Sequence, residues 1–313
     1  MPQDLPFVTL DVFATERFKG NPLAVITIPH GTTPYPTQQQ KQAIAREFNL
    51  SETVFVHEHG DPSRASQRDI DIFLTNAEIP FAGHPTIGTA VSLLAAGVST
   101  LVTKAGPIPV AETKPGLVHA AIPHNVRLHA KRLRDISFPA GHGGLSADPV
   151  VRGAEAAAPV FSIVKGMTFV LIELPSLEHL AGVQRSQTQF PVATLLDEGF
   201  NTGFIARYYF VRLPPSAEDS STGAVRIRSR MIESDFEDPA TGSAACSLCS
   251  YLAAFEKTHD GEDRKVRYEI TQGVEMGRDS HIVVEVGTKG GQVDSVSLGG
   301  TAVQVMRGTV PYV

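Results

Sequence analysis

The sequence contains no tryptophan, only two cysteines and no apolar run of membrane length. Two cysteines in 313 residues provide no disulfide framework and fit a reducing compartment, so a cytoplasmic location is expected. The most apolar stretches, such as Ala90–Val98, fall well short of the roughly 20 residues a bilayer crossing requires. The N-terminus, MPQDLPFVTLDVFA, has no basic segment ahead of an apolar one, and Asp4 interrupts it. It reads as a strand and not as a secretory signal. Positive charge is also scarce: 27 Lys and Arg stand against 33 Asp and Glu, a formal net charge of −6. That balance gives no general attraction to nucleic acid or anionic membranes, and the single basic cluster, Lys131-Arg132-Leu133-Arg134, is too short to reverse it. No Gly-x-Gly-x-x-Gly fingerprint or Walker-A loop is present, so no nucleotide cofactor is expected.

What the sequence does contain is a repeat. His84-Pro85-Thr86-Ile87-Gly88-Thr89-Ala90 aligns without a gap on Asp238-Pro239-Ala240-Thr241-Gly242-Ser243-Ala244, 154 residues further on. Both motifs run into small, apolar segments. Phe18–Ile26 echoes Val164–Ile172, Val54-Phe55-Val56 echoes Tyr209-Phe210-Val211, and Ile70–Phe73 echoes Val225–Arg228, in the same order. Each half therefore reads as several strands and one helix that is apolar nearly all round. Such a helix must be buried on every side. The expected fold is α+β: two pseudo-symmetric domains, each a curved, mostly antiparallel sheet or barrel wrapped around a central helix. The expected boundaries are 1–126, completed by a strand near 301–313, and 127–300. Pro139–Pro149 and Ala154–Pro159 have loop composition and read as part of the domain crossing. Ser216–Thr222 and Asp260–Lys265 read as surface loops.

In both motifs a polar residue stands before a proline that opens a helix, expected over Thr86–Ala96 and Ala240–Phe255. His84 and Asp238 would then lie near the two helix starts. If the halves come together, the two N-termini would converge on one cleft, where their amides and dipoles favour a carboxylate. Gly83, Gly88 and Gly242 would let a ligand approach the backbone. A bland alternative is that Asp238 is only a helix cap and His84 a turn residue.

These residues resemble the PhzF-type isomerases of the diaminopimelate epimerase superfold. The resemblance rests on Asp11-Val-Phe with Phe18-Lys-Gly-Asn-Pro-Leu-Ala-Val, Phe48-Asn-Leu-Ser-Glu-Thr-Val-Phe-Val, Ile79-Pro-Phe-Ala-Gly-His-Pro-Thr-Ile-Gly-Thr-Ala and Phe236-Glu-Asp-Pro-Ala-Thr-Gly-Ser-Ala-Ala. It implies a cofactor-independent isomerase acting at the domain cleft, in a homodimer. It implies that Glu52 is the general acid/base, that His84 and Asp238 orient substrate and proton transfer, and that Gly83, Gly242 and Ser243 contact the ligand. The chain departs from the family at Thr75-Asn76, where Thr-Pro is common. Taken alone, Glu52 is a glutamate at a strand start, which is usually a solvated charge.

The resemblance points to proton transfer on a small carboxylate, whose identity stays open. An epimerase with a thiol in each helix-start loop is disfavoured, because Ala82-Gly83-His84 and Pro239-Ala240-Thr241 contain no cysteine. Cys246 and Cys249 lie further along the second helix and read as small buried hydrophobes. A catalytically silent small-molecule-binding or interaction protein is the alternative of a different class. His57-Glu58-His59 has metal-ligand residue types without a partner motif, so no metal is expected.

Overall fold

The computed structural model describes residues 4–138, 144–215, 223–256 and 263–312. The expected loop at Ser216–Thr222, the start of the Pro139–Pro149 segment and residues 260–262 of the Asp260–Lys265 loop lie outside them. The chain divides into two compact units: one ends at Ala121 and resumes at Leu298, and the other is Ile122–Ser297.

In the first unit, β1 (Asp4–Val12) and β2 (Asn21–Ile28) are antiparallel, and β3 (Thr53–His57) runs parallel to β2. β4 (Gln67–Phe73) returns antiparallel to β3, and the two-residue β5 (Glu78–Ile79) folds back on its end. β6 (Thr100–Thr103) is parallel to β4, and β7 (Gly106–Lys114) and β8 (Leu117–Ala121) continue antiparallel. The C-terminal strand Ala302–Pro311 closes on β1. β2 and β3 read as nearly unbroken apolar runs because both of their faces are covered.

One face holds α1 (Gln38–Phe48), which packs on β3 and β4 through Ile44 and Ala45. A reciprocal capping box of Thr37 and Gln40 starts it, an arrangement worth about 1 kcal/mol. On the other face α2 (Gly83–Ser92) touches β1, β2, β3, β8 and the C-terminal strand, so the sheet curls around it. Every residue from Gly83 to Ala90 is buried. Gly88 has a packing role, contrary to its expected place beside a ligand. A Cβ there would come within 2.6 Å of the Val12 and Leu23 side chains.

The second unit repeats this pairing. After β9 (Arg127–Leu128), β10 (Val160–Val164) and β11 (Gly166–Glu173) are antiparallel, β12 (Gly203–Arg212) is parallel to β11, and β13 (Val225–Glu233) is antiparallel to β12. The short β14 (Phe236–Asp238) folds back on β13, β15 (Arg264–Gln272) is parallel to β13, and β16 (Ser280–Lys289) is antiparallel to β15. From β10 to β16 the order of senses matches that from β1 to β7, strand for strand.

The helices α3 (Pro149–Ala157), α4 (Leu177–Gly182) and α5 (Val192–Leu195) cover one face with Val151, Leu180 and Leu195. The central helix α6 (Gly242–Ala254) is buried on nearly all sides against β10, β11, β15 and β16.

Two expectations need correction. Ala154–Pro159 is not a loop, since α3 runs through Ala157 within the second unit. Asp148 accepts the amides of Val150 at 2.8 Å and Val151 at 3.0 Å, and Pro149 fills the first turn, so the helix starts well despite its Ala/Gly content. The central helices also begin elsewhere than expected, at Gly83 instead of Thr86 and at Gly242 instead of Ala240. His84 is therefore inside its helix, whereas Asp238 ends a strand.

Candidate active site

Glu52 is set by the way α1 ends. Asn49 adopts the left-handed conformation (φ 51°) that stops the helix and turns the chain into β3, one residue beyond Glu52. The neighbouring Thr53 is fully buried and paired with β2 and β4, so the strand holds the glutamate in place. The Glu52 side chain is only 15% exposed, and its Oε2 lies 3.3 Å from Nδ1 of His84. Burial, opposed by a hydrogen bond from Ser51, pushes the Glu52 carboxyl up to about 7. A carboxyl in that state gives and accepts a proton with similar ease at neutral pH.

His84 is the second residue of α2 and is buried. Pro85 follows it within the first turn, where an intrahelical amide is not required. The cap residue Ala82 makes no side-chain hydrogen bond to this helix start. Gly83 opens the helix and is buried.

In the second unit, Asp238 pairs with Met231 at the end of β14 and is buried. Its Oδ2 accepts the Thr241 hydroxyl at 2.5 Å. Thr241 is the cap residue of α6, but its hydroxyl serves Asp238 and not the helix amides. Gly242 is buried as the first residue of α6, and Ser243 behind it is partly exposed.

The buried Gln272, at the end of β15, donates to the Asp238 carbonyl at 2.8 Å and is absent from the sequence expectations. The pairing Gln272-Gly273, a long amide followed by a turn glycine at a strand end, was its only signal. The structure thus brings Glu52 together with His84, and Asp238 together with Thr241 and Gln272.

Other candidates have local partners. His57 Nε2 meets Asp71 at 3.0 Å and its Nδ1 meets the Tyr35 hydroxyl, while His59 Nε2 lies 3.0 Å from Asp69. These side chains line an open pocket of about 400 Å³ with Pro29, His30, Gly31 and Glu58, at the opposite end of β3 from Glu52. Among the described residues, no group of three or more His, Cys, Asp or Glu is arranged to hold a metal ion. Cys246 and Cys249 are free and fully buried in α6, and burial pushes both thiols far above their usual range. Among the described residues, no helix is long and apolar enough to cross a membrane.

Comparison with known proteins places these features in context. A family model described as phenazine biosynthesis-like protein (PhzC-PhzF) matches residues 10–308. An uncharacterized isomerase of Mesorhizobium japonicum is 33% identical over 322 residues, covering 96% of this chain and 97% of that protein. The trans-2,3-dihydro-3-hydroxyanthranilate isomerase of Pseudomonas aeruginosa is 30% identical over 313 residues, covering 96% and 98%. The crystal structure of a PhzF-family phenazine biosynthesis protein from Bacillus anthracis superposes with a TM-score of 0.72 at 21% identity, covering 98% of this chain and 99% of that one.

Proposed function

The chain belongs to the phenazine biosynthesis-like protein family and is an isomerase, and from that premise we propose that Glu52 moves a single proton on a small unsaturated carboxylate. The observation that carries the reading is the Glu52–His84 pair: a buried carboxyl raised to about 7, 3.3 Å from an imidazole at a helix start. As a carboxylate, Glu52 removes a proton from one carbon, breaking a C–H bond whose electrons spread into the conjugated system. As the resulting acid it returns a proton to another carbon, and the double bond shifts. Nothing is oxidised or reduced, so the step calls for no cofactor. His84 shares the proton position with Glu52 and orients it. Asp238, Gly83, Gly242 and Ser243 serve as substrate contacts, and the amides at a helix start suit a carboxylate. Neither Ala82 nor Thr241 caps its helix with a side chain, which supports that role. Charge developing on the dienolate-like intermediate is stabilised by the same groups.

The test is deuterium incorporation from solvent into trans-2,3-dihydro-3-hydroxyanthranilate and a panel of cyclic unsaturated carboxylates. Exchange that disappears in Glu52→Gln while binding persists supports the reading. Undiminished exchange in that variant overturns it.

A further inference from the structure

The hydrogen bonds around Gln272 have a direction, and that direction ends on Asp238. Gln272 is fully buried, so its carboxamide must find partners inside the protein or destabilise it. It finds four. The Ser229 hydroxyl donates to the Tyr208 oxygen at 2.9 Å, which leaves the Tyr208 hydrogen to be donated to Gln272 Oε1 at 3.2 Å. Oε1 also accepts the Thr241 backbone amide at 3.3 Å. The amide's oxygen is thereby identified, and Nε2 faces the Asp238 carbonyl at 2.8 Å and the Thr241 hydroxyl oxygen at 3.1 Å. Since that hydroxyl oxygen receives a hydrogen from Gln272, its own hydrogen is directed to Asp238 Oδ2 at 2.5 Å. The adjoining Gly273 (φ 78°) holds the same turn from the backbone side. A Cβ there would stand 2.5 Å from the Pro239 carbonyl oxygen.

We propose that Gln272 is a positioning residue: it clamps the Asp238–Thr241 turn and aims the Thr241 hydroxyl at the Asp238 carboxylate. The proposal rests on Asp238 serving the reaction. Its sharpest feature is polarity. In Gln272→Glu a group of the same shape has at most one hydrogen to give, when protonated, and the Asp238 carbonyl can only accept it. The Thr241 hydroxyl oxygen thus loses its donor, and its own hydrogen is no longer directed to Asp238. A merely space-filling role would be indifferent to that exchange.

Hydrogen–deuterium exchange of the substrate-free protein, followed by mass spectrometry, decides whether the clamp exists. In Gln272→Glu and the milder Tyr208→Phe, peptides spanning 238–244 exchange about tenfold faster or more, with those of the first unit unchanged. Unaltered exchange in both variants overturns the clamp. Turnover of trans-2,3-dihydro-3-hydroxyanthranilate decides its consequence. Gln272→Glu lowers kcat about 10- to 100-fold with KM within about threefold, Thr241→Val reproduces the loss, and Thr241→Ser restores it. Gln272→Glu combined with Thr241→Val costs no more than either alone, because both cut the same relay. Full turnover or simple multiplication of the two losses overturns the positioning role. Asp238→Asn separates the premises. If it is also fully active, the reading of Asp238 has failed; if it is inactive, only the role of Gln272 has.

Discussion

Oε2 of Glu52 and Nδ1 of His84 stand 3.3 Å apart, with Glu52 largely withdrawn from water and His84 buried in the first turn of a helix. The carboxyl's affinity for its proton is raised chiefly by this withdrawal.

That relationship sets a pH profile. A base with a pKa of about 7 is ionised above neutrality, so kcat/KM rises through pH 7 and levels off beyond it. Glu52→Gln removes the proton acceptor and lowers kcat about 100- to 10,000-fold, the range for general acid–base groups. Stopped-flow or steady-state rates from pH 5 to 9 check both statements.

The same carboxyl has a stability signature of opposite sign. Its folded pKa lies above the unfolded value near 4.5, so folding favours the protonated form. The contribution is intact below pH 4.5 and is lost as pH rises from there to about 7. At about 1.4 kcal/mol per pH unit, ionised Glu52 destabilises the fold by on the order of 3 kcal/mol at pH 8. Glu52→Gln is therefore more stable than the parent in urea at pH 8, and the advantage shrinks at pH 4.5.

Packing around the first central helix leaves no room for a side chain at position 88. Gly88→Ala brings a methyl against Val12 and Leu23 and lowers stability by about 1–3 kcal/mol. Chemical denaturation of the variant and its parent measures this directly.

The thiols stand apart from the chemistry. Cys246 and Cys249 are buried within α6, and burial keeps them as thiols. Native protein exposed to iodoacetamide keeps its full activity, and the Cys249→Ala variant retains turnover. Inactivation at stoichiometric labelling contradicts the one-carboxylate mechanism.

Much of the architecture was legible in the sequence because duplication writes the same strand order twice. β3 and β12, or β4 and β13, announce themselves as matched apolar segments. The helix starts were harder to read. Pro85 looks like an opening residue, yet the first turn tolerates proline at its third position, and Gly83 begins the helix. Asp238 looks like a cap, but its backbone belongs to a strand paired with Met231. Asp148-Pro149 carried a good helix-start signal that the surrounding Ala and Gly obscured. The burial of Glu52 arises from tertiary packing, so only family resemblance singled it out. Gln272 is one polar residue at a strand end, and its partners lie 31 and 64 residues away in the chain.

The two copies of this scaffold differ at one informative place: the first residue of the matched motif, His84 or Asp238, lies within a helix in one and at the tip of a strand in the other. The strand order is the same in both units, and a shift of a few residues in where the central helix begins leaves a different local arrangement at that residue. A carboxyl–imidazole couple stands there in the first and a hydroxyl-tethered aspartate in the second. Equivalent substitutions at the two positions therefore remove different local contacts, the imidazole beside Glu52 in one unit and the acceptor of the Thr241 hydroxyl in the other.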